Sequence, residues 1–202
     1  MRFVPGAGDT TSLKIGAIFE FSPLILNIAT AVVIYPLVRR QSETVSLGYV
    51  AARIMESTII AIGLMSIISV VNVIDALNRL PAGATATVLV EQGTSLVHTY
   101  EWAFLFGPGL VVGFGNGLML GYLMYRSGLV PRGMAMLGLI GGPLLILSFV
   151  LQLFDVYKNG SGASSLLALP EIAWEASLGI YCAWKAFRLS SPLATPATAT
   201  AG

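Results

Sequence analysis

The sequence predicts an all-α protein, a polytopic bundle of five transmembrane helices, on three observations. Of 202 residues, 55% are hydrophobic and only 10% are charged, against ~25% charged in soluble domains. The hydrophobic residues gather into five long runs separated by polar loops, and each run meets or exceeds the ~20 residues that cross ~30 Å of hydrocarbon as a helix. The runs do not alternate apolar and polar residues as ~10-residue barrel strands would. Helices therefore have to satisfy the backbone in lipid.

Residues 1–14 include Pro5, Gly6, Gly8 and Asp9, lack the apolar core and cleavage pattern of a signal peptide, and are expected to form an exposed N-terminal tail. The first span covers about residues 15–37, with Glu20, Pro23 and Asn27 inside it and Pro36 near its end. A tight loop holding Arg39, Arg40 and Glu43 leads to the second span, 46–74, which carries Arg53 and Glu56 near its start. The stretch 84–97 is only moderately apolar and contains Glu91 and Gln92. It is expected either as a short helix on the outer face of the bundle or as an N-terminal extension of the third span, 102–125. A second basic loop, from Arg126 to Arg132, precedes the fourth span, 134–154, in which Gly141-Gly142-Pro143 is the expected break. A Gly-, Ser- and Asn-rich turn over 155–165 leads to the fifth span, 166–187, with Pro170, Glu171 and Glu175. Residues 15–188 thus form a single transmembrane domain. The Ser/Ala/Pro/Thr segment 189–202 is expected to be a disordered tail.

Five spans put the two chain ends on opposite sides. Arg39, Arg40, Arg126, Arg132, Lys185 and Arg188 fall on one side, and Arg2, Lys14, Arg79 and Lys158 on the other. Because Lys and Arg concentrate on the cytoplasmic side, the N-terminus is expected outside and the C-terminus in the cytoplasm.

A charge at the bilayer centre costs at least ~2.5–3.5 kcal/mol on insertion scales, so ionisable residues inside spans should face protein or water and mark function. Glu20 and Asn27, seven apart, share a helix face. So do Glu171 and Glu175, four apart, on a face that continues to Leu178 and Cys182. With Arg53, Glu56 and Asn116 they make a candidate intramembrane polar site, a hydrated cavity or proton-relay path built chiefly from the first, second and fifth spans. The structural alternative is that Arg53 pairs with Glu56, or with a carboxylate on a neighbouring helix, only to fix helix register. Gly109, Gly113, Gly117 and Gly121 recur every four residues, a small-xxx-small ridge on which another helix can approach closely. Gly115, ~160–200° around the helix from Gly113 and Gly117, is expected to miss that ridge and to tolerate substitution better than they do.

Cys182 and His98 are the only cysteine and histidine. An intrachain disulfide, a multi-Cys or His-cluster metal site and bis-histidine haem ligation are therefore excluded, and no cofactor is expected. No Ser-His-Asp set, HExxH motif or nucleophile elbow is present. The glycines are not a phosphate loop, since no Lys-Ser/Thr follows them. A net charge of +1 gives no footprint for nucleic acid. Tyr100, Trp102, Tyr181 and Trp184, near span ends, are expected as interface anchors.

The stretches TAVVIYPLVRR (Thr30 to Arg40), LGYVAARIMEST (Leu47 to Thr58), GYLMYRSGLVPR (Gly121 to Arg132), GLIGGPLL (Gly138 to Leu145) and PEIAWEASLGI (Pro170 to Ile180) resemble the bacterial membrane family catalogued as domain of unknown function 4386. The resemblance spans roughly residues 15–188 and implies a compact helical bundle in the bacterial plasma membrane, with no activity assigned. Members usually carry one more hydrophobic helix before the one that begins here at Ile15, and many place His-Asp-Trp where this chain has Tyr100-Glu101-Trp102.

Three functions from different classes follow. The first is transport or sensing of a small solute, ion or proton through the carboxylate- and Arg-lined interior. The second is a structural or regulatory subunit of a membrane complex, docking as a homo- or hetero-oligomer. The third, least favoured, is a lipid-facing intramembrane enzyme using Glu and Arg alone.

Overall fold

The computed structural model describes residues 10–81, 84–185 and 187. Among them five helices are long and apolar enough to cross a membrane: α1 (Thr10–Val38), α2 (Glu43–Asn78), α3 (Thr87–Ser127), α4 (Arg132–Leu153) and α5 (Gly162–Lys185). The protein is a multi-pass helical bundle in contact with the lipid bilayer.

Short connections make successive helices antiparallel neighbours. Ser42, in an extended conformation, caps α2 by accepting a 3.5 Å hydrogen bond from the Val45 N–H. At the end of α3, Gly128 adopts φ 65°, the left-handed conformation that stops a helix at little steric cost, and Pro131 then introduces α4. α1 packs on α2, α2 on α3, α3 on α4 and α4 on α5. α2 and α3 are the most buried helices, and α1 and α5 the least.

Apolar side chains pack the helices together in two clusters, the second of them confined to α1, α2 and α3. At the end bearing the loops of Arg39 and Arg132, Ala31, Val38, Tyr49, Leu123, Met124 and Trp174 belong to one core cluster. At the other end Ala17, Leu64, Ile67, Ile74 and Val97 form a smaller one.

α1 begins at Thr10, so its first turn takes up residues assigned to the expected tail. Residues 1–9 and the expected tail 189–202 lie outside the described residues. Of the two alternatives for 84–97, the helical extension is the one observed: α3 runs unbroken from Thr87. Gly93 and Val97 are buried, while Glu91, Gln92 and His98 are exposed, so an amphipathic stripe holds the extension. α2, with 36 residues, is ~54 Å long and α4, with 22, is ~33 Å. The α2–α3 pair therefore outreaches its neighbours at the end opposite the arginine loops.

The expected break at Gly141-Gly142-Pro143 does not occur, for α4 is continuous from Arg132 to Leu153. Its glycines serve close approach instead. A Cβ on Gly142 would lie 2.5 Å from the Gly113 carbonyl oxygen of α3, and one on Gly141 would lie 2.6 Å from the Glu171 nitrogen of α5. Three backbones approach closely there.

The irregular helix is α3, which widens into π-helical turns over Leu105–Val111 and Gly113–Leu120. Gly107, Gly109, Gly113, Gly115 and Gly117 weaken the α-helical preference of this stretch, and Pro108 withholds a backbone N–H. Packing against α2 and α4 then decides its winding. Such turns recur where helices serve function.

Candidate functional site: a charged cavity between the helices

A cavity of about 720 Å³ lies among the five helices, and all seven polar residues singled out in the sequence line it. α1 contributes Glu20 and Asn27, α2 Arg53 and Glu56, α3 Asn116, and α5 Glu171 and Glu175. The spacings explain the convergence. Glu20 and Asn27 repeat after two turns of α1, and Glu171, Glu175, Leu178 and Cys182 follow one face of α5 into the same space.

At its centre three side chains close a ring. Arg53 Nη1 donates to Glu56 Oε2 at 2.7 Å, Arg53 Nη2 donates to Asn27 Oδ1 at 2.5 Å, and Asn27 Nδ2 donates to Glu56 Oε1 at 2.9 Å. Both oxygens of Glu56 are thereby occupied. Arg53 and Glu56 are buried, and charge-assisted bonds of this kind are what make an ion pair tolerable away from water. Asn27 extends the pair from α2 onto α1.

The other carboxylates differ in state. Glu20 Oε1 accepts from the Tyr100 hydroxyl of α3. Glu175 Oε1 accepts from Asn116 Nδ2 at 2.6 Å and lies 3.8 Å from Arg53 Nη1, yet 44% of the Glu175 side chain remains exposed. Glu171 is only 2% exposed, and neither of its carboxyl oxygens has a hydrogen-bond partner among the described residues. Its carboxyl is seated in the glycine notch, where a Cβ at Gly117 or at Gly141 would come within 2.8 Å of Oε2. Of the four, Glu56 and Glu171 are buried and Glu20 is half-buried, so Glu175 is the one that is both hydrogen-bonded and exposed.

The glycine ridge divides into parts. Gly113, Gly117 and Gly121 face the backbone of α4, whereas a Cβ at Gly109 would meet only its own helix, with Leu105 Cδ1 nearest at 3.7 Å. Gly109 lines the cavity. Gly115, expected to tolerate substitution better than Gly113 or Gly117, is as tightly packed as they are: an added Cβ would lie 2.5 Å from Ala52 Cβ. It does point away from α4, but α3 is central and α2 covers that opposite face.

Several residues in and around the cavity escaped the sequence. Tyr100, expected as an interface anchor, turns inward to Glu20; its place on the Gly93–Val97 stripe was the available signal. Ser148 and Gln152, one turn apart on α4, line the cavity itself, with Gln152 Nε2 donating to Ser148 Oγ at 3.1 Å and the Tyr157 hydroxyl donating to the same oxygen at 2.8 Å. Two polar residues four apart in an apolar run gave the same kind of sign as Glu171 and Glu175. Trp174, fully buried, donates from Nε1 to the Asn116 carbonyl at 3.1 Å and so ties α5 to the π-helical part of α3. His98 stays at the periphery, its Nδ1 3.4 Å from Glu101.

Five membrane-crossing helices around a cavity holding an arginine and four carboxylates define a multi-pass membrane protein with a polar interior. The chain belongs to the family described as a domain of unknown function (DUF4386), whose model matches residues 3–185. No curated protein and no solved structure matches it.

Proposed function

We propose that the protein binds a small cationic solute in the interior cavity and transports or senses it, with Glu175 as the counter-ion. The observation that carries this reading is the state of Glu175: its carboxylate is anchored at one oxygen by Asn116 and its side chain is 44% exposed. Arg53 Nη1 stands 3.8 Å from Glu175, and its charge is already matched by Glu56 at 2.7 Å, so the second carboxylate is left for a ligand. The cavity volume, about 720 Å³, falls in the ~300–1,000 Å³ range of small-molecule sites. The arginine-bearing loops are proposed to face the cytoplasm.

The test is titration of the protein in lipid nanodiscs with tetramethylammonium and with tetraphenylphosphonium, protein-free nanodiscs serving as the blank. Saturable binding of at least one cation is expected, weakened about 10–150-fold in Glu175→Gln, the range that ~1.5–3 kcal/mol for a bond to a charged group corresponds to. Absence of saturable binding by both cations, or equal binding in Glu175→Gln, overturns the proposal. Accumulation of the bound cation in proteoliposomes then separates transport from sensing.

A further inference from the structure

The cavity is not ringed by helices on every side. α1 packs on α2 and α5 packs on α4, but α1 and α5 do not pack along each other, although residues of both line the space between them. The result is a slot. At the arginine-loop end it is shut by the cluster that contains Val38 of α1, Leu123 of α3 and Leu178 of α5. Along its length it faces the region where lipid lies, and Ile172, on its α5 edge, is 57% exposed.

Beyond the polar residues already described, Thr30, Asn159 and Ser164 line it too, but most of the remaining wall is apolar, with Ile34, Leu105, Val112, Leu145, Phe149 and Ile172 among it. A strongly hydrated ion would give up water against such walls without compensation, whereas an apolar body would gain from them. From this we infer that the cation bound at Glu175 is a lipophilic one, its charge at Glu175 and its apolar body lying in the slot between α1 and α5. The inference rests on the cation reading above and narrows it to a substrate class.

Charge decides against a membrane lipid as the occupant. An amine-headed phospholipid brings a phosphate with it, and Arg53 is the only basic residue among the described residues lining the cavity. Arg53 is already committed to Glu56 and Asn27. The phosphate would be left among carboxylates. A free organic cation with no anionic group meets no such conflict.

Three probes of one charge magnitude separate the contributions. Tetraphenylphosphonium has the charge and the apolar body, tetramethylammonium the charge alone, and tetraphenylborate the same body with the opposite charge. In nanodiscs, with protein-free discs as the blank, tetraphenylphosphonium is expected to bind at least about tenfold more tightly than tetramethylammonium, and tetraphenylborate not saturably. The double variant Ala168→Phe/Gly179→Phe fills the slot on either side of Glu175. Both positions line the cavity, and a Cβ at Gly179 meets nothing within 4 Å, so the Gly179 change has room in the fold. It should weaken tetraphenylphosphonium about tenfold and leave tetramethylammonium within about twofold.

Equal affinity for the two cations overturns the lipophilic class and leaves the cation reading standing. Binding of neither cation overturns the cation reading itself. Saturable binding of tetraphenylborate as tight as that of tetraphenylphosphonium shows an apolar slot indifferent to charge and overturns both. A double variant that binds tetraphenylphosphonium like the parent but loses a dimer seen by native mass spectrometry places a second copy of the chain in the slot and overturns the inference.

Discussion

Glu56→Gln is expected to destabilise the bundle more than Arg53→Gln does, although the two residues form one ion pair. An arginine cannot shed its charge inside a protein, whereas a carboxylate left alone can take up a proton. In Glu56→Gln the guanidinium keeps Asn27 at 2.5 Å and has only Glu175, 3.8 Å away, to offset its charge. Breaking a buried pair from one side costs ~3–5 kcal/mol. For a chain of this length, at ~2–4 °C per kcal/mol, that is a fall of ~6–20 °C in melting temperature. In Arg53→Gln, Glu56 retains the Asn27 bond at 2.9 Å, and the loss is that of hydrogen bonds to a charged group, ~1.5–3 kcal/mol. The double variant removes both charges and should melt above Glu56→Gln. Thermal unfolding of parent, single and double variants in one detergent, followed by tryptophan fluorescence, reads all of this. If both single variants melt like the parent, Arg53 escapes to the headgroups by snorkelling and the closed ring does not support the bundle.

Other expectations follow from the helix contacts and the loop charges. Gly117→Ala puts a Cβ 2.5 Å from the Gly142 Cα and should abolish a monodisperse peak in size-exclusion chromatography, while Gly109→Ala, with nothing nearer than 3.7 Å, should elute like the parent. Gly138→Ala brings a methyl within 2.8 Å of Trp174 Nε1, so the indole must move. Loss of its bond to the Asn116 carbonyl should change the tryptophan emission, and an unchanged spectrum would refute the contact. With Cys182 replaced by Ala, an impermeant thiol reagent on intact cells should label Lys158→Cys and spare Thr44→Cys and Gly133→Cys; the reverse pattern inverts the proposed orientation.

Hydrophobic run length made the five helices legible, because the bilayer imposes both a minimum length and a ban on unsatisfied backbone. The start of α3 at Thr87 was not decided by that rule, since Glu91 and Gln92 break the apolar run and only the stripe of Gly93 and Val97 against α2 makes the segment helical. Helical spacing put Glu20 with Asn27 and Glu171 with Glu175 on shared faces, and in the fold both pairs line one cavity. What spacing could not supply was their pairing. Asn27 joins Arg53 and Glu56 across 26 and 29 residues of chain, and Tyr100 reaches Glu20 across 80. These are tertiary facts, set by which helices touch. Gly115 shows a different limit: its direction followed from helical geometry, but only the position of α2 reveals that Ala52 waits there.

The unequal lengths of α2 and α4 carry a practical consequence. Even tilted by ~40°, the steepest usual angle, α2 still spans about 40 Å of depth, well over the ~30 Å of hydrocarbon. The paired ends of α2 and α3 are therefore expected to stand out of the membrane as a stiff, two-helix handle, with Glu91, Gln92 and His98 on its exposed side. For a protein of 21.3 kDa, electron cryomicroscopy has little mass to align images on. An antibody fragment raised against the exposed face of residues 88–98 would grip this handle clear of a detergent micelle and supply both particle size and orientation.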